Sequence, residues 1–131
     1  MENHSDISKN FIPYDLALEL KELGFFEECL GFYIWQSWNN NSRLEIGNDG
    51  EYTCETIKAP LYQQAFRFFR EKYGLHYIIC KNIQMDGYGY REVILIPYME
   101  ENENTIFKTY EEAELECLVK LIEIAKEQNI K

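Results

Sequence analysis

The run Leu30-Gly31-Phe32-Tyr33-Ile34-Trp35-Gln36-Ser37-Trp38 constrains this chain more than any other stretch. Its β-branched and aromatic residues fit a pleated strand, and Asn39-Asn40-Asn41-Ser42 closes it with turn-forming residues. In a strand successive side chains point to opposite faces, which puts Leu30, Phe32 and Ile34 on one side and Tyr33 and Trp35 on the other. Both faces are therefore apolar, and neither can simply face water. A sheet built on this strand needs a layer of helices on one side and a covering or a partner on the other.

The helices are visible in the periodicity. Leu16, Leu20 and Leu23, widened by Ala17, recur at helical spacing after Pro13, and Gly24 is suited to closing that helix in a left-handed conformation. Pro60 opens a second stripe of Leu61, Ala65, Phe68 and Phe69, with Gly74 beyond its end. Thr109-Tyr110-Glu111-Glu112 has capping-box spacing, and it leads into a third helix with Ala113, Cys117, Leu118, Leu121, Ile122 and Ala125 on one face.

Between the helices, Arg43-Leu44-Glu45-Ile46 and Tyr52 to Ile57 predict one or two short strands separated by the turn Gly47-Asn48-Asp49-Gly50. His76 to Ile83 and Tyr90 to Pro97 predict a hairpin turning at Asp86-Gly87-Tyr88-Gly89 and forming the middle of the sheet. Glu100 to Asn104 reads as an acidic loop, and residues 1–10 as a flexible lead-in. The expectation is an α+β fold of one domain, 1–131. A small, mostly antiparallel sheet of four to five strands carries three helices on one face, in the order α-β-β(-β)-α-β-β-α.

Thirteen Lys and Arg against twenty-three Asp and Glu give a formal charge of −10, which disfavours nucleic acid and anionic membrane surfaces as partners and suits a basic protein target. The segment Met1 to Asp6 lacks the basic start and apolar run of a secretory signal, and no stretch reaches the ~20 apolar residues of a membrane span. A cytoplasmic setting is expected. Cys29, Cys54, Cys80 and Cys117 are widely spaced with no CxxC pair, which predicts reduced thiols.

The same spacing predicts no metal site and no cofactor. His76 and Cys80 would lie about 13 Å apart along a strand at ~3.3 Å per residue, too far to share one ion. Cys29 and His76 are the only candidates for a nucleophile and its base, and Glu27 and Glu28 would raise the thiol pKa rather than lower it. Gly87-Tyr88-Gly89 lacks the third glycine and the following helix of a phosphate loop. The carboxylates of Glu111, Glu112, Glu114 and Glu116 read as a solvated face beside a helix N-terminus.

Three segments, Ile12 to Phe25, Ala59 to Leu75 and Thr109 to Leu118, resemble in order and spacing a family of short uncharacterised phage and prophage proteins of gut Bacteroidota. The resemblance spans nearly the whole chain. It implies a mobile-element origin in a bacterial host cytoplasm, and it carries no assigned activity or site residues.

The expected surface of action is aromatic. With three helices on one face of the sheet, Tyr33, Trp35, Tyr52, Tyr88 and Tyr90 are expected to face outward, and Tyr and Trp are the residues most enriched in binding hot spots. The leading expectation is a non-enzymatic interaction protein that binds itself as a homodimer, or a host or phage protein, across that face. The alternative is a small-molecule or nucleotide binder in which Arg67, Arg70 or Arg91 meets the phosphates. A small hydrolase ranks last, because no acid, base, nucleophile and orienting group can be assembled.

Overall fold

The computed structural model describes residues 8–82, 87–92, 100–101 and 107–130. The fold is mixed α+β, and the described residues include three longer helices and two small antiparallel sheets. The chain divides into two compact units, Met1–Ala65 and Phe66–Lys131.

In the first unit, α1 (Tyr14–Glu22) begins after Pro13, whose carbonyl accepts from the Ala17 N–H at 2.9 Å. It ends as the leucine-and-glycine pattern predicts. Gly24 takes a φ of 101°, and the N–H groups of Gly24 and Phe25 turn back to the carbonyls of Lys21 and Leu20. Ala17 and Leu20 are its buried residues, and α1 packs beside β3. Phe11 and Ile12, just before the helix, are buried as well; Ile12 N–H donates to the Pro60 carbonyl, and the Asn10 carbonyl accepts from Tyr62.

The first sheet contains β1 (Gly31–Gln36), β2 (Asn41–Ile46) and β3 (Thr56–Ala59), with β1 in the centre and antiparallel to both neighbours. Tyr33 pairs with Leu44 on one side and with Ile57 on the other, while Ile34 pairs with Arg43 and Thr56. Strand β1 is shorter than the aromatic run suggests. It stops at Gln36 because the chain turns through Ser37–Asn40, where Asn40 adopts a φ of 55°. The segment after β2 forms a short 3-10 helix at Asp49–Glu51, capped by the Asn48 side chain, so Tyr52 lies outside the strand that its sequence suggested.

The division between the units falls within α2 (Tyr62–Tyr73), which Gly74 closes with a φ of 69°. Its Ala65, Phe68 and Phe69 are buried, in line with the predicted stripe. The second sheet contains β4 (Tyr77–Asn82), β5 (Gly87–Glu92) and β6 (Glu100–Glu101) in that order, all antiparallel. The acidic segment is thus partly a strand, because Glu100 and Glu101 pair with Glu92 and Arg91. The predicted turn residue Asp86 and the stretches 93–99 and 102–106 lie outside the described residues.

Helix α3 (Tyr110–Ile130) packs on β4 and β5 and buries the six residues its periodicity marks: Ala113, Cys117, Leu118, Leu121, Ile122 and Ala125. Thr109 Oγ1 accepts from the Glu112 N–H at 3.1 Å, and the Glu112 carboxylate accepts from the Lys108 N–H, also at 3.1 Å. This is a capping box displaced by one residue at its return bond.

The strands therefore form two sheets where one layer of four to five was expected. The cause is the pairing of β1. Its two edges are filled by β2 and β3, the strands that follow it most closely in the chain, and such local pairings close the shortest loops.

Candidate interaction surface

Tyr33 is not a surface residue. Helix α1 lays Tyr14 edge-on over its ring, with centroids 5.5 Å apart and planes at 82°, and the side chain is 9% exposed. The Tyr33 hydroxyl donates to the Ile12 carbonyl at 2.7 Å, and burial raises its pKa above the ordinary phenol value. The period-two reading placed Tyr33 on the correct face of the sheet, but that face is covered at this point by helix α1 of the same chain.

Two residues on, the cover gives out. Trp35 stacks on the same Tyr14 ring, at 5.5 Å and 27°, and remains 47% exposed. Trp38, in the turn that follows, is 77% exposed. Trp35 to Ser42 is a stretch of eight residues with no charged side chain: two Trp, one Gln, two Ser and three Asn. The Asn39 amide donates to Gln36 Oε1 at 3.3 Å, which steadies the turn. Exposed indoles among uncharged amides and hydroxyls combine large contact area with hydrogen-bonding capacity and need no counter-charge.

The other expected residues are elsewhere. Tyr52 is 41% exposed but packs edge-on against Phe32, whose side chain points to the face of β1 opposite Trp35. Tyr88 and Tyr90 belong to the second sheet, where both are half-buried. Tyr88 meets Tyr110 edge-on and lies under the Lys81 ammonium at 5.6 Å, while Tyr90 stacks on Phe107 and leans against Tyr77. In the first unit, Tyr52 does not share the face of Tyr33 and Trp35. The sequence reading passed over Trp38, although an indole placed against an Asn run at the end of a strand was a visible signal for exposure.

The first unit also holds a cleft of about 110 Å³ lined by Ala17, Lys21, Phe25, Phe26, Asp49, Thr56 and Lys58. Its charges are matched internally. Thr56 Oγ1 donates to Asp49 at 2.7 Å, Lys58 Nζ stands 3.9 Å from the same carboxylate, and Lys21 pairs with Glu55 at 3.0 Å. Nearby, the half-buried Cys29 thiol donates to the Glu27 carbonyl at 3.4 Å. Its pKa is pushed up to about 11, mainly by burial, with Glu27, Glu28 and Asp49 adding to the rise and Lys58 opposing it. The buried Cys117 thiol is pushed up to about 12 by burial and the nearby Glu114. Both are protonated at neutral pH, the opposite of what an activated nucleophile needs.

Among the described residues no group of three or more His, Cys, Asp or Glu is arranged to hold a metal ion, and no helix is long and apolar enough to cross a membrane. Comparison with protein families, with curated proteins and with solved structures finds no match.

Proposed function

We propose that this chain is a non-enzymatic interaction protein, phage-encoded as its resemblance implies, that grips a protein partner through the end of β1 and the turn beyond it. The observation that carries the reading is the exposure of Trp35 and Trp38, 47% and 77%, the two tryptophans of the chain. Burying a large side chain stabilises a fold by roughly 1.5–3 kcal/mol, and this fold leaves most of that contribution from Trp38 unused. Paired aromatics of this kind are the usual anchors of protein interfaces. The partner is a host or phage protein, and the net charge of −10 on the chain favours a basic one.

The small-ligand alternative has less support. The cleft seen among the described residues of the first unit, about 110 Å³, falls well short of the roughly 300 Å³ at which ligand pockets typically start, and neither Arg67 nor Arg70 lines it. The test is capture from host lysate by the wild-type chain and by Trp38→Ala and Tyr52→Ala variants. A protein retained by Tyr52→Ala and lost by Trp38→Ala supports the reading. One retained equally by Trp38→Ala contradicts it.

A further inference from the structure

Strand β2 (Asn41–Ile46) is an edge. The sheet order is β2-β1-β3, and among the described residues no strand lies against the outer side of β2. In an antiparallel ladder, residues alternate between those that exchange both backbone bonds with the neighbour and those whose N–H and C=O point away. Gly47 N–H donates to the Leu30 carbonyl at 2.8 Å, which fixes the phase. Counting from that pair, Glu45, Arg43 and Asn41 bond to β1, and Ser42, Leu44 and Ile46 turn their backbone groups outward. Asn41 Oδ1 accepts from the Ser42 N–H at 2.8 Å, a local bond that an incoming carbonyl can replace.

Edge strands are commonly shielded by Pro, by a bulge or by charged side chains, Lys above all. β2 has no Pro, no Lys and no bulge: its sequence is Asn-Ser-Arg-Leu-Glu-Ile, and its ladder with β1 runs unbroken over all six residues. Its two charges are of opposite sign, and they pair with each other along one face of the strand through Arg43 Nε and Glu45 Oε2.

We infer that a second copy of this chain adds antiparallel to the outer edge of β2, with the two-fold axis at Leu44. The register follows from charge. Centring on Leu44 sets Arg43 opposite the partner's Glu45 and Glu45 opposite the partner's Arg43, so the internal pair opens into two cross-strand pairs. Centring one residue earlier sets arginine against arginine, and one residue later sets glutamate against glutamate; like charges directly opposite are destabilising.

Centring on Leu44 also agrees with the ladder. The outward residues Ser42, Leu44 and Ile46 meet the partner's Ile46, Leu44 and Ser42, so every outward N–H finds a carbonyl. On the other face, half-buried Leu44 and exposed Ile46, 59% open to solvent, form an apolar row with their copies. The backbone bonds of this interface are made by β2 alone; Trp35, beside Ser42 on β1, and Trp38, in the turn, lie off its edge, and the interface is tested separately from the reading above.

The test is sedimentation equilibrium at physiological ionic strength, where the repulsion between two chains of charge −10 is screened beyond about 8 Å. The set is wild type, Arg43→Glu, Glu45→Arg, an equimolar mixture of those two variants, and Trp38→Ala. The expected result is a wild-type dimer, a dissociation constant raised about tenfold or more in each charge variant, and a heterodimer of near wild-type affinity in the mixture. Trp38→Ala dimerises as wild type does. A wild type that stays monomeric overturns the proposal. So do charge variants that dimerise as well as wild type, a mixture that fails to restore association, or a Trp38→Ala variant that does not dimerise.

Discussion

The Tyr33 hydroxyl is bonded to the Ile12 carbonyl at 2.7 Å, with Ile12 fully out of solvent and Tyr33 nearly so. This bond ties the central strand of the first sheet to the segment that enters α1, and the same segment is tied to Pro60 through the Ile12 N–H. Tyr33→Phe removes the donor and leaves a buried carbonyl short of its partner. The expected loss is about 1–2 kcal/mol of unfolding free energy with an unchanged denaturant slope, read from urea titration.

Trp38 and Trp35 differ in what they do for the fold. Trp38→Ala is expected to change stability by less than about 0.5 kcal/mol, because the side chain is 77% exposed. Trp35→Ala removes the ring stacked on Tyr14 and is expected to cost about 1 kcal/mol or more. Acrylamide quenching of each single-tryptophan variant checks the exposures directly, with stronger quenching where Trp38 is the indole left.

Glu114 lies half-buried on α3, and its pKa is raised above 4.5 by burial first and then by Glu111 one turn earlier. A carboxyl whose folded pKa is raised holds its proton longer in the folded state than in the unfolded one. Its contribution is thus complete below pH 4.5 and declines as pH rises through the folded value. Glu114→Gln is expected to melt higher than wild type at neutral pH, with the difference shrinking as the pH falls through the raised folded value towards 4.5 and levelling off below it, as measured by scanning calorimetry across that range.

Thiol reactivity is expected to follow exposure and pKa together. Cys54, exposed, reacts at once with a disulfide reagent in the native state. Cys29 at a pKa of about 11 reacts slowly, and Cys117 at about 12 and fully buried reacts only when the chain unfolds. Labelling followed by peptide mapping reads all four thiols. Early modification of Cys117 would contradict the burial described for α3.

What periodicity could reveal was legible. The buried face of α3 is read from residues three and four apart, and Gly24 and Gly74 stand where helices need a left-handed residue, because these signals are local to each segment. The partition into two sheets was not legible, since strand pairing joins residues distant in sequence and the pattern of each strand is the same whichever neighbour it takes. Tyr33 shows the same limit within one strand. Alternation placed it with Trp35, but only the position of Tyr14 decides that one ring is roofed and the other is half open.

The neutral stretch from Trp35 to Ser42 has a consequence for how a complex behaves in solution. Contacts made by indoles, amides and hydroxyls do not weaken as electrolyte is added, and none of these side chains titrates between acid and alkali. A complex held there persists in a concentrated salt wash that strips away whatever the acidic remainder of the molecule attracts by charge alone.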